Sequence, residues 1–137
     1  MKNYCILLLL TLGFSCTAIA QNVSMNKEEV VKTLCRQWKP QYAQVGAQRI
    51  DQLPGNMAFE VEFKVDNTFV ITGSDKKKKT GKWTFNSQKK YVDLNVDNKA
   101  KLRITTLTKS TFTAVMDNTD GEVPQGLSGL QIVFVQK

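Results

Sequence analysis

The chain has 137 residues, with 19 Lys/Arg against 12 Asp/Glu, a formal net charge of +7 and no histidine. Without imidazole it lacks the commonest general base, the usual activator of a serine or cysteine nucleophile and the commonest metal ligand, so the expectation is a non-enzyme without metal or cofactor. Two of its three cysteines, Cys5 and Cys16, fall near the start; Cys35 is left alone, which excludes an intrachain disulfide and a thiolate zinc cluster in the body of the chain.

Lys2 precedes an apolar run over residues 4–14, and Ala18-Ile19-Ala20 then forms a small-x-small cleavage pattern. This reads as a secretory signal peptide over residues 1–20, with residues 21–137 as a single domain exported to the periplasm or secreted. The run is shorter than the ~20 apolar residues needed to span a bilayer, so no transmembrane span is expected. The alternative is acylation at Cys16, which follows Ser15 but has Gly13 where lipoproteins usually carry leucine. That would leave the same domain lipid-anchored.

Residues 26–36 predict a short helix. Asn26 is a good N-cap, with Glu29 three positions on, and Val30, Val31, Leu34 and Cys35 make one apolar stripe. Cys35 reads as a small apolar member of that stripe; the competing reading, a nucleophile, has no histidine to activate it. A first strand follows over residues 38–45. The period then becomes two: Phe59, Val61, Phe63 and Val65 alternate with Glu60, Glu62 and Lys64, and Asp66-Asn67 is read as a tight turn. Glu60 and Glu62 fit the polar face of this strand better than acid–base work. Phe69 and Ile71 carry the apolar face onward, followed by strands over 82–85, 91–96, 101–107, 111–117 and 131–136. Eight short strands joined mostly by tight turns predict an all-β fold, an eight-stranded antiparallel up-and-down barrel, with the short N-terminal helix beside it or across one end.

Alternating turns place Lys76, Lys77, Lys78 and Lys79 at one end, with the turn at 97–100 and the long connection 118–129. The connection carries Pro124, Gly126 and Gly129 and is long enough for a lid or lip. Residues 76–103 hold ten Lys/Arg against two Asp/Glu, a balance of +8. The lysines read either as a solvated hairpin tip or as a candidate anion-binding tip for a headgroup, glycan or membrane surface. No nucleic acid is expected, because they are not interleaved with aromatics that stack on bases. Six phenylalanines (Phe59, Phe63, Phe69, Phe85, Phe112, Phe134) share the inward alternation with Trp38 and Trp83, and they suit a filled barrel as well as one with room for a small ligand.

The layout resembles the small exported lipocalin-like domains of bacteria. It does so through "LCRQWKP" at 34–40, "FEVEFKVDNTFVITGSDKKKKTGKWTFNSQKKYVDLNV" at 59–96 and the closing "IVFVQK". In that family a leucine and a tryptophan open the barrel, and an F-x-x-D-G-T-F hairpin precedes G-x-W. Arg36 and Asn67 stand where the family usually has glycine, and its Thr-Asp-Tyr triplet is missing. The resemblance implies a small hydrophobic molecule bound in the barrel, with Trp38, Phe59, Phe63 and Trp83 as wall residues and the lysines near one mouth. The alternative is a non-enzymatic protein-interaction or inhibitor barrel of the cell envelope with a packed interior.

Overall fold

The computed structural model describes residues 23–55, 57–96, 99–116 and 129–137, with backbone alone at 99–101. The helix forms as its capping signal requires. In α1 (Lys27–Leu34) the Asn26 side chain accepts from the Glu29 amide at 2.9 Å, and the Glu29 carboxylate accepts from the Asn26 amide at 3.0 Å. Two of the four unpaired helix-start amides gain reciprocal partners in this way. Val30 and Leu34 are buried from its apolar stripe.

Among the described residues nine strands follow: β1 (Gln37–Val45), β2 (Gln48–Ile50), β3 (Glu60–Phe63), β4 (Thr68–Thr72), β5 (Lys78–Asn86), β6 (Tyr91–Val96), β7 (Lys99–Leu107), β8 (Thr111–Met116) and β9 (Leu130–Gln136). From β3 to β9 each strand pairs antiparallel with the next, and β9 returns to β1 from Trp38↔Gln136 to Val45↔Leu130. The result is the predicted closed, eight-stranded antiparallel barrel plus one extra short strand.

That extra strand, β2, has a physical origin in β1. Since β9 occupies one side of β1, β2 and β3 must share the other. β2 pairs with Ala43, Gln44 and Val45, and β3 pairs with Gln37 and Trp38. β2 ends at Ile50 and β3 starts at Glu60, and among the described residues the middle of β1 has no ladder partner on that side. Pro40, which lacks an amide hydrogen, sits in this stretch. The register against β9 also jumps between Pro40 and Tyr42, leaving Gln41 as a bulge.

Three further departures concern strand ends. β3 stops at Phe63, so Val65 does not continue the inward alternation and is 73% exposed. Lys64 N bonds Thr68 O and Asn67 N bonds Lys64 O, with Asn67 at φ 66°. The loop is therefore three residues, Val65, Asp66 and Asn67, closed by a left-handed residue rather than a two-residue turn. β5 starts four residues before the predicted Lys82, because Thr72 and Ile71 offer partners to Lys78 and Lys79. Of the predicted turn at 97–100, Lys99 and Ala100 belong to β7; residues 97–98, Asp117 and residues 118–128 lie outside the described residues.

Inside, Trp38, Phe63, Phe69, Trp83, Phe112 and Phe134 are buried, while Phe59 and Phe85 are half-buried against them. Phe112 stacks on Phe134 at 4.5 Å and makes a T-shaped contact with Trp38 at 4.9 Å. This packed half lies at the helix end. There the Val23 amide bonds Lys90 O, the Phe63 amide bonds Arg36 O, and Trp38 Nε1 donates to Leu34 O at 2.9 Å. Outward positions such as Glu60, Glu62, Lys64 and Lys82 are exposed, so the apolar face is the inner one, the reverse of a lipid-spanning barrel. Among the described residues no helix is long and apolar enough to cross a membrane.

Candidate functional site: the open end of the barrel

Strand alternation sets which side chains point inward, and the residue types change along the barrel. Near α1 the inward positions carry rings. Toward the other end they carry the smaller side chains of Ile71, Leu102, Met116 and Ile132. A cavity of about 830 Å³ opens there, lined by these four with Met57 and Phe59 from the 51–59 segment. Asp75, Lys77 and Lys79 stand at its rim.

The rim loop is built locally. Gly73 N bonds Lys77 O at 2.9 Å, Lys76 N bonds Gly73 O at 3.0 Å, and Lys76 takes the left-handed conformation at φ 65°. The Asp75 carboxylate accepts from the Lys77 amide at 3.0 Å and lies 3.5 Å from Lys77 Nζ. Ser74 Oγ donates to Gly55 O at 3.2 Å, tying the loop after β4 to the segment that precedes the neighbouring β3.

Register sorts the lysine run into two sets. Lys79 lies directly opposite Ile71, and Gly81 directly opposite Phe69. Partners facing each other share a side of the sheet, so Lys79 and Gly81 lie on the inner side with Ile71 and Phe69. Lys77 shares this parity and lines the rim, whereas Lys78 faces outward and Lys76 occupies the loop. The ammonium groups remain in water; the Lys77 side chain is 86% exposed.

The four predicted wall residues separate. Phe59 lines the cavity and contacts Phe134 at 5.7 Å. Trp38, Phe63 and Trp83 belong to the packed half. Phe63 lies 5.6 Å from Phe69 and 5.8 Å from Phe112, and Trp83 Nε1 donates to Lys64 O at 3.0 Å. Each indole therefore spends its single donor on a backbone carbonyl, as buried tryptophans usually do. Leu102, Met116 and Ile132 were legible as inward-facing; their grouping as a cavity wall follows from their shared level along the barrel.

Among the described residues Glu60, Glu62, Cys35 and Asp66 do not line this cavity. Glu60 and Glu62 are exposed on the outer face, Glu60 bonded to Lys137 Nζ at 2.9 Å. Cys35 caps α1 half-buried; burial, then the nearby Asp66 carboxylate, pushes its thiol pKa up. Asp66 accepts from the Thr68 hydroxyl at 2.5 Å and the Thr68 amide at 3.0 Å, which holds its carboxyl below the usual carboxylate range. Among the described residues no group of three His, Cys, Asp or Glu is placed to hold a metal ion.

No known protein family, curated protein or solved structure matches this chain.

Proposed function

We propose that this protein is an exported, lipocalin-like binding barrel that holds a small apolar molecule in its open end and catalyses no reaction. The observation that carries this reading is the cavity of about 830 Å³ with its apolar lining. Its size falls within the roughly 300–1,000 Å³ of small-molecule sites. The packed half beneath supplies the rigidity that a preformed site needs, so the barrel has both a filled floor and a hollow top. The outer-face position of Glu60 and Glu62 favours binding over carboxylate catalysis. Export rests on the N-terminal pattern at residues 1–20.

The test is titration with the neutral dye N-phenyl-1-naphthylamine, whose emission rises in apolar surroundings. Tryptophan emission is a poor reporter, since both indoles are buried in the packed half. The expected result is saturable binding, displaced by dodecanol and weakened in Leu102→Glu, which puts a charge into the apolar lining, at an unchanged circular dichroism spectrum. No dye and no alcohol bound by the wild-type protein would overturn the reading and leave the filled, partner-binding barrel in its place.

A further inference from the structure

The rim of the cavity carries a chemical signature that an apolar ligand alone does not use. Lys77 and Lys79 are two positions apart on one side of the sheet, about 7 Å at Cα, and both line the cavity. Lys76 and Lys78 do not. Lys77 has a local partner in Asp75. Lys79 makes no ion pair among the described residues, and its strand partner Ile71 is part of the apolar wall. Among the described residues the charges at the rim are Asp75, Lys77 and Lys79, which leave a positive balance where the apolar lining meets water.

The geometry points to a single-chain amphiphile with an anionic headgroup, carboxylate or phosphate, as the ligand of this cavity; the inference rests on the binding reading above. The chain lies among Ile71, Leu102, Met116 and Ile132. The headgroup remains at the mouth, bonded by the Lys79 ammonium and drawing Lys77 from Asp75. A fully desolvated anion would need buried donors; a rim site needs none, because water solvates the outer side of the headgroup. The lysine run therefore divides its labour, two side chains aimed at the ligand and two at solvent.

The experiment is displacement of N-phenyl-1-naphthylamine from the protein purified from an exporting host. The competitors are dodecanoate, dodecyl phosphate, dodecanol and dodecyltrimethylammonium, all below their aggregation concentrations. The expected result is that at least one anion displaces the dye several-fold better than the alcohol, and the cation worse. The tighter anion identifies the headgroup. Lys79→Gln is expected to weaken the anion by about two- to fivefold, as for a solvent-exposed pair, and to leave dodecanol unchanged. Lys77→Gln acts in the same sense and adds to it, and the preference shrinks as salt is raised. Against the double variant Lys77→Gln/Lys79→Gln, the paired control Lys76→Gln/Lys78→Gln removes equal charge from the same hairpin without touching the rim. Dye and dodecanol binding without an anion preference, or an equal loss in the control pair, would overturn the headgroup assignment while the binding cavity stands. No binding of any probe would overturn both.

Discussion

Gly81→Ala tests the packing beneath the cavity. Gly81 lies opposite Phe69, and a Cβ placed on it would run into Phe69 Cζ, 2.8 Å from Phe69 Cε1 and 2.6 Å from Asn95 O. Ordinary contacts between carbons lie at about 3.5–4.0 Å, so the methyl overlaps on two sides by about an ångström. One side is a neighbouring strand's carbonyl, which moves only if the β5–β6 ladder moves. The other is a ring buried against Phe63. Overpacking of this kind costs about 1–3 kcal/mol, and with one side formed by backbone the upper end applies. Loss of glycine's freedom in the unfolded chain offsets about 0.4–1 kcal/mol. The net is a destabilisation of about 2 kcal/mol, which for a domain of this size is a fall in Tm of roughly 8 °C. Thermal and urea unfolding followed by circular dichroism give the value. Phe69→Leu in the Gly81→Ala background should recover part of it, so a double-mutant cycle reads the clash itself. An unchanged or raised Tm in Gly81→Ala would show that Phe69 withdraws freely, and the account of this glycine would fail.

Asp66→Asn should lower Tm at neutral pH. The folded-state pKa of Asp66 is depressed by its Thr68 hydrogen bonds, so its contribution is present above the unfolded carboxylate value of about 3.9 and is lost as pH falls through the folded value. The gap between wild type and variant should therefore close in acid, and a constant gap would argue against the Thr68 interaction as its source. Cys35, with its thiol pKa raised by burial and then by Asp66, should react with a disulfide reagent at pH 7 more slowly in the native protein than in denaturant. Equal rates would show that the thiol is neither shielded nor perturbed.

The barrel was legible because period-two alternation continues through most of the chain, and one apolar face joined by short turns leaves closure as the simplest way to bury it. The misjudged places are those where alternation persisted without a partner strand. Val65 continues the alternation of Val61 and Phe63 in letters only: after Phe63 the ladder ends and the chain enters its loop. β2 is short and polar, so nothing in Gln48, Arg49 and Ile50 announces a strand. Pro40 was the available signal that β1 would be bulged and incompletely paired. Room for a small ligand was one of two readings of the interior; its place and lining went unread because the rings were counted around the barrel without regard to their level along it. Trp38, Phe63, Phe69, Trp83, Phe112 and Phe134 fill one half, and only their level reveals that the other half is left to aliphatic side chains. The lysine run was split by register, which no composition count carries: Ile71 opposite Lys79 decides which ammonium groups meet the mouth.

The seam between β1 and β9 has a consequence for how the chain assembles. The pairings from β3 through β9 join neighbours in sequence and, apart from the long connection between β8 and β9, need only short loops closed, a small entropic cost. The seam joins Trp38 to Gln136 and Ala43 to Ile132, almost the full span of the described chain. Hairpins can therefore accumulate in order, but the cylinder stays a curled open sheet until its final strand arrives. Until then β1 and β8 present unpaired edges, the feature by which sheets recruit strands from other molecules. A chain stopped before Leu130 would keep those edges permanently, and its fate would be association with its own copies.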